Sequence, residues 1–177
     1  RSVAEKQLEL ERAAAEFEGP GIVYAATHAN AEEARDVLAA AGQPVTLYHA
    51  GLSAGERHEA SAAFFDGSAR IIAATVAFGM GIDKRDVRWV LHADPPSSLD
   101  EYYQELGRAG RDEQAAQARL LYRPEDFAKA RHLAARGVSA NVVAPVAAAL
   151  ATDGSVEENG RGRTAALVRL VDVGAVV

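Results

Sequence analysis

The feature that most constrains this chain is an alternation. Short apolar runs, "GIVYAAT", "PVTLYHAG", "RIIAAT" and "RWVLHAD", are separated by helical stretches or by a glycine-rich loop. Apolar runs of that length suit strands buried on both faces, and strands alternating with helices build a parallel sheet covered by helices. The expected fold class is therefore α/β. A leading helix reaches about Phe17 and stops at "EGPG". Asn30 with Glu33 reads as a capping box opening a helix that Gly42 closes, and Ser53 with Glu56 opens another that runs through Phe65. Ser98 with Glu101 opens the helix that carries "YYQELGRAGRD". "QARLLY" is a fifth strand, followed by Pro124 at a first helical position, with Glu125 and Asp126 suited to the helix dipole and the helix continuing to about Arg136. Beyond Gly137 two short amphipathic helices are expected, the second leading into an apolar end.

With 177 residues, 49% of them hydrophobic, the chain can bury one substantial core and a small appended piece. It contains no cysteine, which excludes disulfides and cysteine-held zinc. His28, His49, His58, His92 and His132 are scattered without metal-ligand spacing, so no metal site is expected. A net charge of -6 argues against wholesale electrostatic capture of nucleic acid but leaves room for a local site. No run of about 18 apolar residues occurs, which points to a soluble, intracellular chain with no membrane partner. A start at Arg1 and an apolar end, "VDVGAVV", read as a piece of something longer.

In such sheets the working loops leave the carboxyl ends of strands, here at Thr27, His49, Thr75 and Ala93. No phosphate-cradling G-x-x-x-x-G-K-[ST] run is present, nor a strand ending in Asp-Glu that could hold Mg2+. If the helix after Ser98 persists, Arg108 and Arg111 lie one turn apart on one face, where two guanidinium groups can converge on an anion. Two structural arginines pairing with Glu105, Asp112 or Glu113 are the alternative. Gly79 and Gly81 would let backbone amides approach a phosphate, with Asp83 accepting from a ribose hydroxyl, or "FGMGID" is a plain turn with a capping Asp. Trp89 and Tyr102 suit the core better than a base-stacking platform.

Taken together and in order, "IVYAAT", "YHAGLS", "ATVAFGMGIDK" and "YYQELGRAGRD" closely resemble the later motifs of the RecQ family of superfamily-2 DNA helicases, from Gly21 to about Tyr122. RNA helicases of the DEAD-box type are similar but usually have His where Gln104 stands and lack "AFGMG". The resemblance implies a RecA-like second motor lobe, residues 1–122, whose parallel sheet is sandwiched by helices. Residues 123–177 would form a small, mostly helical, winged-helix-like extension. It implies a 3'-to-5' DNA helicase acting in repair and recombination, cytoplasmic and nucleoid-associated. ATP and Mg2+ would be bound mainly by a first RecA-like lobe of the same protein, and the nucleic-acid partner would be single-stranded or junction DNA. By the same resemblance Arg111 is an arginine finger supported by Arg108 and Gln104. Gly79, Gly81 and Asp83 face the nucleotide, while His49, Gly51, Thr75 and Lys84 lie near the tracking-strand phosphates. Many relatives carry a four-cysteine zinc platform after these motifs; "RPEDFAKARHLAARGVSANVV" has no cysteine, so no zinc is expected. A catalytically silent nucleic-acid-binding module and a nucleotide enzyme outside nucleic-acid work are the remaining readings.

Overall fold

In the computed structural model, the structure describes residues 2–79, 84–123 and 126. The chain divides into two units, Arg1–Ala130 and Arg131–Val177. The second unit lies outside the described residues, and of the expected extension over residues 123–177 only Arg123 and Asp126 are described. Within the first unit the order is α1 (Val3–Glu16), β1 (Gly21–Tyr24), α2 (His28–Ala40), β2 (Val45–Tyr48), α3 (Ala54–Asp66), β3 (Ile71–Ala74), a single 3-10 turn (Val76–Gly79), β4 (Trp89–His92), α4 (Leu99–Leu106) and β5 (Gln117–Leu120). The strands form one sheet in the order β2-β3-β1-β4-β5, every pair parallel, which is the α/β arrangement the alternation predicts.

Both faces of the sheet are covered, and the period-two alternation of the strands sorts their residues between two cores. Val23, Ile71, Ala73, Trp89 and Leu91 face α1 and α2, meeting Leu10, Ala13, Phe17, Ala34 and Leu38. Ile22, Tyr24, Ile72, Ala74 and Val90 face the other way, against Phe64 of α3, Phe78, Val87 and the partly buried Leu106 of α4. Trp89 is a core residue, fully buried, with its indole N–H donating to the Gly19 carbonyl at 3.2 Å. Tyr102 is half-buried, its ring 4.9 Å from that of His92.

Local chemistry explains where the helices start. Ser53 and Glu56 form the expected reciprocal capping box. At α2 the expectation needs correction: the cap is Thr27, whose hydroxyl accepts from the Asn30 amide, and the helix therefore begins two residues before Asn30. Asn30 instead uses its side chain at long range, donating to Asp94 at 2.7 Å. Ser98 does cap α4, but Glu101 returns to the amide of Ser97 and so closes only half of a box. The carboxyl end of α1 is held by Arg70, whose guanidinium donates to the carbonyls of Ala14 at 2.7 Å and Phe17 at 2.8 Å, satisfying acceptors that the helix leaves open.

One polar link crosses the α1 and α2 side. Lys6 donates to Asp94 at 2.8 Å and to Asp126 at 3.0 Å, and Asp94 also accepts from the Ala26 amide at 3.1 Å. Burial works to raise the Asp94 carboxyl, but hydrogen bonds from Lys6, Asn30 and Ala26 outweigh it and hold the group below the ordinary carboxylate range.

The tightest steric constraint is at the start of β1. A Cβ on Gly21 would fall 1.9 to 2.2 Å from three atoms of the Trp89 indole, on the neighbouring strand at the same register. Gly21→Ala is therefore expected to overpack the core and cost about 3 kcal/mol or more, read as a lower denaturant midpoint with unchanged far-UV signal before the transition. A loss under about 0.5 kcal/mol, the size usual for a surface change, would contradict this packing.

Candidate functional site

The carboxyl ends of β1 to β4 open on one edge of the sheet, and the described candidate residues fall on it in two groups. His49, Gly51 and Thr75 lie beyond β2 and β3, whereas Gln104, Arg108 and Arg111 follow β4 by way of α4. Gly79 ends the 3-10 turn that follows Thr75; Gly81 and Asp83 lie outside the described residues.

In the first group, the amide of Gly51 donates to Nδ1 of buried His49 at 3.1 Å. Neutral His49 consequently carries its proton on Nε2, which lies 3.2 Å from a Glu32 carboxylate oxygen without the alignment of a hydrogen bond. His28 stacks on the same ring, centroids 4.4 Å apart and planes 17° apart. A Cβ on Gly51 would come within 3.0 Å of Nδ1 of both imidazoles, so glycine is what permits this turn to close against the histidine pair. Thr75 is buried, donates its amide to the Tyr48 carbonyl at 3.2 Å and accepts from the Phe78 amide at 3.0 Å, which starts the turn toward Gly79. Lys84 is engaged inside the lobe: its ammonium lies 3.1 Å from Asp86, donates to the Phe65 carbonyl at 3.4 Å and sits 5.5 Å above the Phe64 ring. Reaching a phosphate would require it to leave Asp86.

The second group is built differently from the expected continuous helix. Helix α4 ends at Leu106 with Gly107 as its cap, so Arg108 and Arg111 do not share a helical face. A looped turn carries them instead. The Gly110 amide donates to the Val87 carbonyl at 2.9 Å with Gly110 at φ +68°, and the Glu113 amide returns to the Gly110 carbonyl at 3.0 Å. Arg88 locks the far side through both oxygens of Asp112, each at 2.6 Å, and through the Ala115 carbonyl at 3.3 Å. Asp112, one of the residues that could have paired with Arg108 or Arg111, is thus taken up by Arg88. The Arg111 Nε donates to the Gly107 carbonyl at 3.1 Å, and Arg111 and Gln104 are exposed while Arg108 is half-buried.

Beneath this loop lies a buried polar cluster that motif reading passed over. His92 Nε2 and the Glu105 carboxylate are 2.7 Å apart, with side chains 1% and 8% exposed. The Tyr24 ring stacks on His92 with centroids 5.6 Å apart. Burial pushes the Glu105 carboxyl up, opposed by the His92 hydrogen bond and by the charges of His92 and Arg108. The Tyr24 phenol is likewise pushed up by burial and by the charge of Glu105, with Arg108 and Arg111 pulling the other way. Both guanidinium groups therefore act electrostatically at the carboxyl end of β1, although no helix aligns them. Alternation was the available signal: His92 is two residues from Val90 and must face the same core, where a polar ring needs a partner.

Residues 5–113 match the family described as the helicase conserved C-terminal domain. Among curated proteins, the chain is 44% identical over 108 residues to the ATP-dependent DNA helicase RecQ of Pasteurella multocida, covering 61% of this chain and 17% of the relative. It is 41% identical over 118 residues to the bifunctional 3'-5' exonuclease/ATP-dependent helicase WRN of Mus musculus, 67% of this chain and 8% of that one. It thus spans less than a fifth of the length of either. Among solved structures, the E. coli DEAD-box protein SrmB, bound to regulator of ribonuclease activity A, superposes with a TM-score of 0.66 at 26% identity, covering 72% of this chain and 75% of that one. A DEAD box protein from Methanococcus jannaschii superposes with a TM-score of 0.64 at 25% identity, covering 75% of this chain and 37% of that one.

The loop makes a specific demand on Gly110, since a Cβ there would lie 2.9 Å from the Gln114 carbonyl oxygen in a left-handed conformation. Gly110→Ala is expected to cost about 1–3 kcal/mol locally. In hydrogen exchange the amides of residues 110 and 113 should lose protection while those of β1 and β3 keep theirs; uniform protection across all four would show the loop tolerates the methyl.

Proposed function

This chain belongs to the helicase conserved C-terminal domain family, and from that premise we propose that it is the second motor lobe of an ATP-dependent 3'-to-5' DNA helicase. The observation that carries the reading is the arginine loop. Gly107, Gly110, Arg88 and Asp112 fix a turn that holds two guanidinium groups at the carboxyl edge of the sheet, where a phosphate bound between two lobes would lie.

In this reading Arg111 is the finger: its planar fork neutralises charge that accumulates on the transferring γ-phosphoryl, with Arg108 and Gln104 beside it. Gly79, Gly81 and Asp83 face the nucleotide from the loop after β3. His49, Gly51, Thr75 and, once released from Asp86, Lys84 contact the sugar-phosphate backbone of the tracking strand without reading sequence. In the same reading the lobe covers a nucleotide whose Mg2+ is bound mainly by the first lobe. The phosphate cradle and metal carboxylates would come from a first RecA-like lobe. Gln104, the "AFGMG" run and the higher identity to DNA helicases favour DNA over RNA as the partner.

By itself the chain is expected not to hydrolyse ATP, and robust turnover by the purified 177-residue chain would overturn the assignment of roles. In the full-length protein that carries this lobe, Arg111→Ala should reduce DNA-stimulated hydrolysis by about 10^3-fold or more while leaving nucleotide affinity, DNA affinity and melting temperature close to wild type. Lysine at the position should rescue poorly, since a point charge cannot span two phosphate oxygens. Near-normal turnover in a stable Arg111→Ala protein would remove Arg111 from the chemistry. RNA stimulation equal to that by DNA would favour the DEAD-box-like alternative.

A further inference from the structure

The two groups expected to meet a phosphate beyond β2 are bonded to each other. The Gly51 amide donates to Nδ1 of His49 at 3.1 Å, so that nitrogen is an acceptor and carries no proton while the turn is closed. The other ring nitrogen, Nε2, has no hydrogen-bond partner and lies 3.2 Å from a Glu32 carboxylate oxygen, in a side chain only 5% exposed. Closed in this way, the turn offers a phosphate neither the Gly51 N–H nor an imidazole N–H: the first is taken and the second faces a carboxylate.

An imidazole that takes up a second proton becomes a donor at both nitrogens. Its Nδ1–H would then meet the Gly51 N–H across 3.1 Å, two donors face to face, and one of them must leave. The surroundings decide which. His49 is buried, with the His28 ring stacked on it. Before it, the Tyr48 carbonyl accepts from the Thr75 amide at 3.2 Å; after it, the Leu52 amide donates to the His49 carbonyl at 3.1 Å and the Leu52 carbonyl accepts from Arg57. The pinned ends leave Ala50 and Gly51, both exposed, as the part that can turn. Glycine suits that role because no Cβ has to pass the two imidazoles, whose Nδ1 atoms a methyl would approach to 3.0 Å.

We propose that residues 49–51 form a proton-linked switch. Neutral His49 keeps the turn closed; a second proton on its ring releases the Gly51 amide, and Nδ1–H and the freed N–H then both donate to a backbone phosphate. A buried N–H without an acceptor is costly, so the phosphate stabilises the protonated form and the proton stabilises the phosphate complex. The charged and titratable groups around the ring are Glu32 and His28 on α2, and Glu56 and Arg57 on α3. Glu32 and Glu56 favour the added proton and Arg57 opposes it. A second charge on His28, its ring centroid 4.4 Å away, is opposed by the first, so the switch takes one proton. The phosphate half of the inference rests on the reading of His49 and Gly51 as strand contacts, while the switch itself concerns this chain alone.

The test has two arms. In NMR of the 177-residue chain, the His49 ring should take up its second proton as the pH falls from about 8 to about 5.5, and the Gly51 amide should lose exchange protection at the same midpoint, with the amides of β1 and β3 unchanged. His49→Asn keeps an acceptor two residues before Gly51, the spacing of an Asx turn, and has nothing to titrate, so its Gly51 amide should stay protected throughout. Glu32→Gln, at a half-exposed position, should move the wild-type midpoint to lower pH. A doubly protonated His49 beside a still protected Gly51 amide would overturn the switch. So would a ring that stays neutral until the sheet amides are lost, or a Gly51 amide that loses protection equally in His49→Asn. In the full-length protein at fixed ionic strength, affinity for oligothymidylate should rise as the pH falls, more steeply in wild type than in His49→Asn by up to about tenfold per pH unit, the limit for one linked proton. Equal slopes would overturn the phosphate half and remove His49 and Gly51 from the strand contacts, with a shared NMR midpoint still establishing the switch. No DNA binding by the wild-type protein would count against the helicase reading itself, and the NMR result would then decide the switch.

Discussion

The site depends on β1 being hydrogen-bonded in parallel to β3 on one side and β4 on the other, with both faces buried. Parallel pairing brings every carboxyl end to one edge, and burial on both faces leaves that edge as the place where loops can carry chemistry. Gly21 is the steric condition for this pairing, because the Trp89 ring occupies the space a side chain would need. The close seating of β1 against β4 also brings Tyr24 beside His92, and so places the arginine loop over the end of the central strand.

The two groups of candidate residues are held by opposite means. Around His49 a glycine admits close approach, and the turn closes against two stacked imidazoles. Around Arg108 and Arg111 order comes from charge, with the Arg88 guanidinium on Asp112 outside and the His92 and Glu105 pair beneath. Exposed ion pairs contribute little to stability, but a guanidinium whose Nη2 holds both Asp112 oxygens while Nη1 and Nε reach the Ala115 and Asp86 carbonyls narrows the conformations that a short loop can adopt. Rigidity at that point is what a positioned guanidinium requires, since catalysis by electrostatics depends on groups that need not reorganise.

Much of the fold was legible in the sequence. Among the described residues the five strands and four helices occur in the order that the apolar runs and helical patterns predict, because those signals are local. Thr27 was misjudged as part of a strand and Asn30 as a cap, since an Asn side chain can serve either its own helix or a distant carboxylate, and spacing cannot say which. The end of α4 was missed for a related reason: Gly107 and Gly110 in "GRAGR" allow a helix to stop but do not compel it, and the deciding bond runs from Gly110 to Val87, far away in sequence. Arg70 closing α1, and Glu105 meeting His92, are likewise contacts between distant segments. The candidate phosphate positions come from resemblance; for His49, Gly51, Thr75 and Lys84 geometry adds how they are held.

Lys6 has a further consequence for the order in which the chain can reach this state. It reaches Asp94, 88 residues on, and Asp126, 120 residues on. Contacts of such separation are closed late, after the entropy of the intervening chain has been overcome. During synthesis helix α1 therefore waits for β3 and β4 to emerge before it can dock fully, and β1 waits for the same two strands. A nascent chain stalled before β4 would lack Trp89, Leu91 and Asp94, leaving Leu10, Ala13 and Phe17 without much of the surface that covers them and open to chaperones and to neighbouring chains.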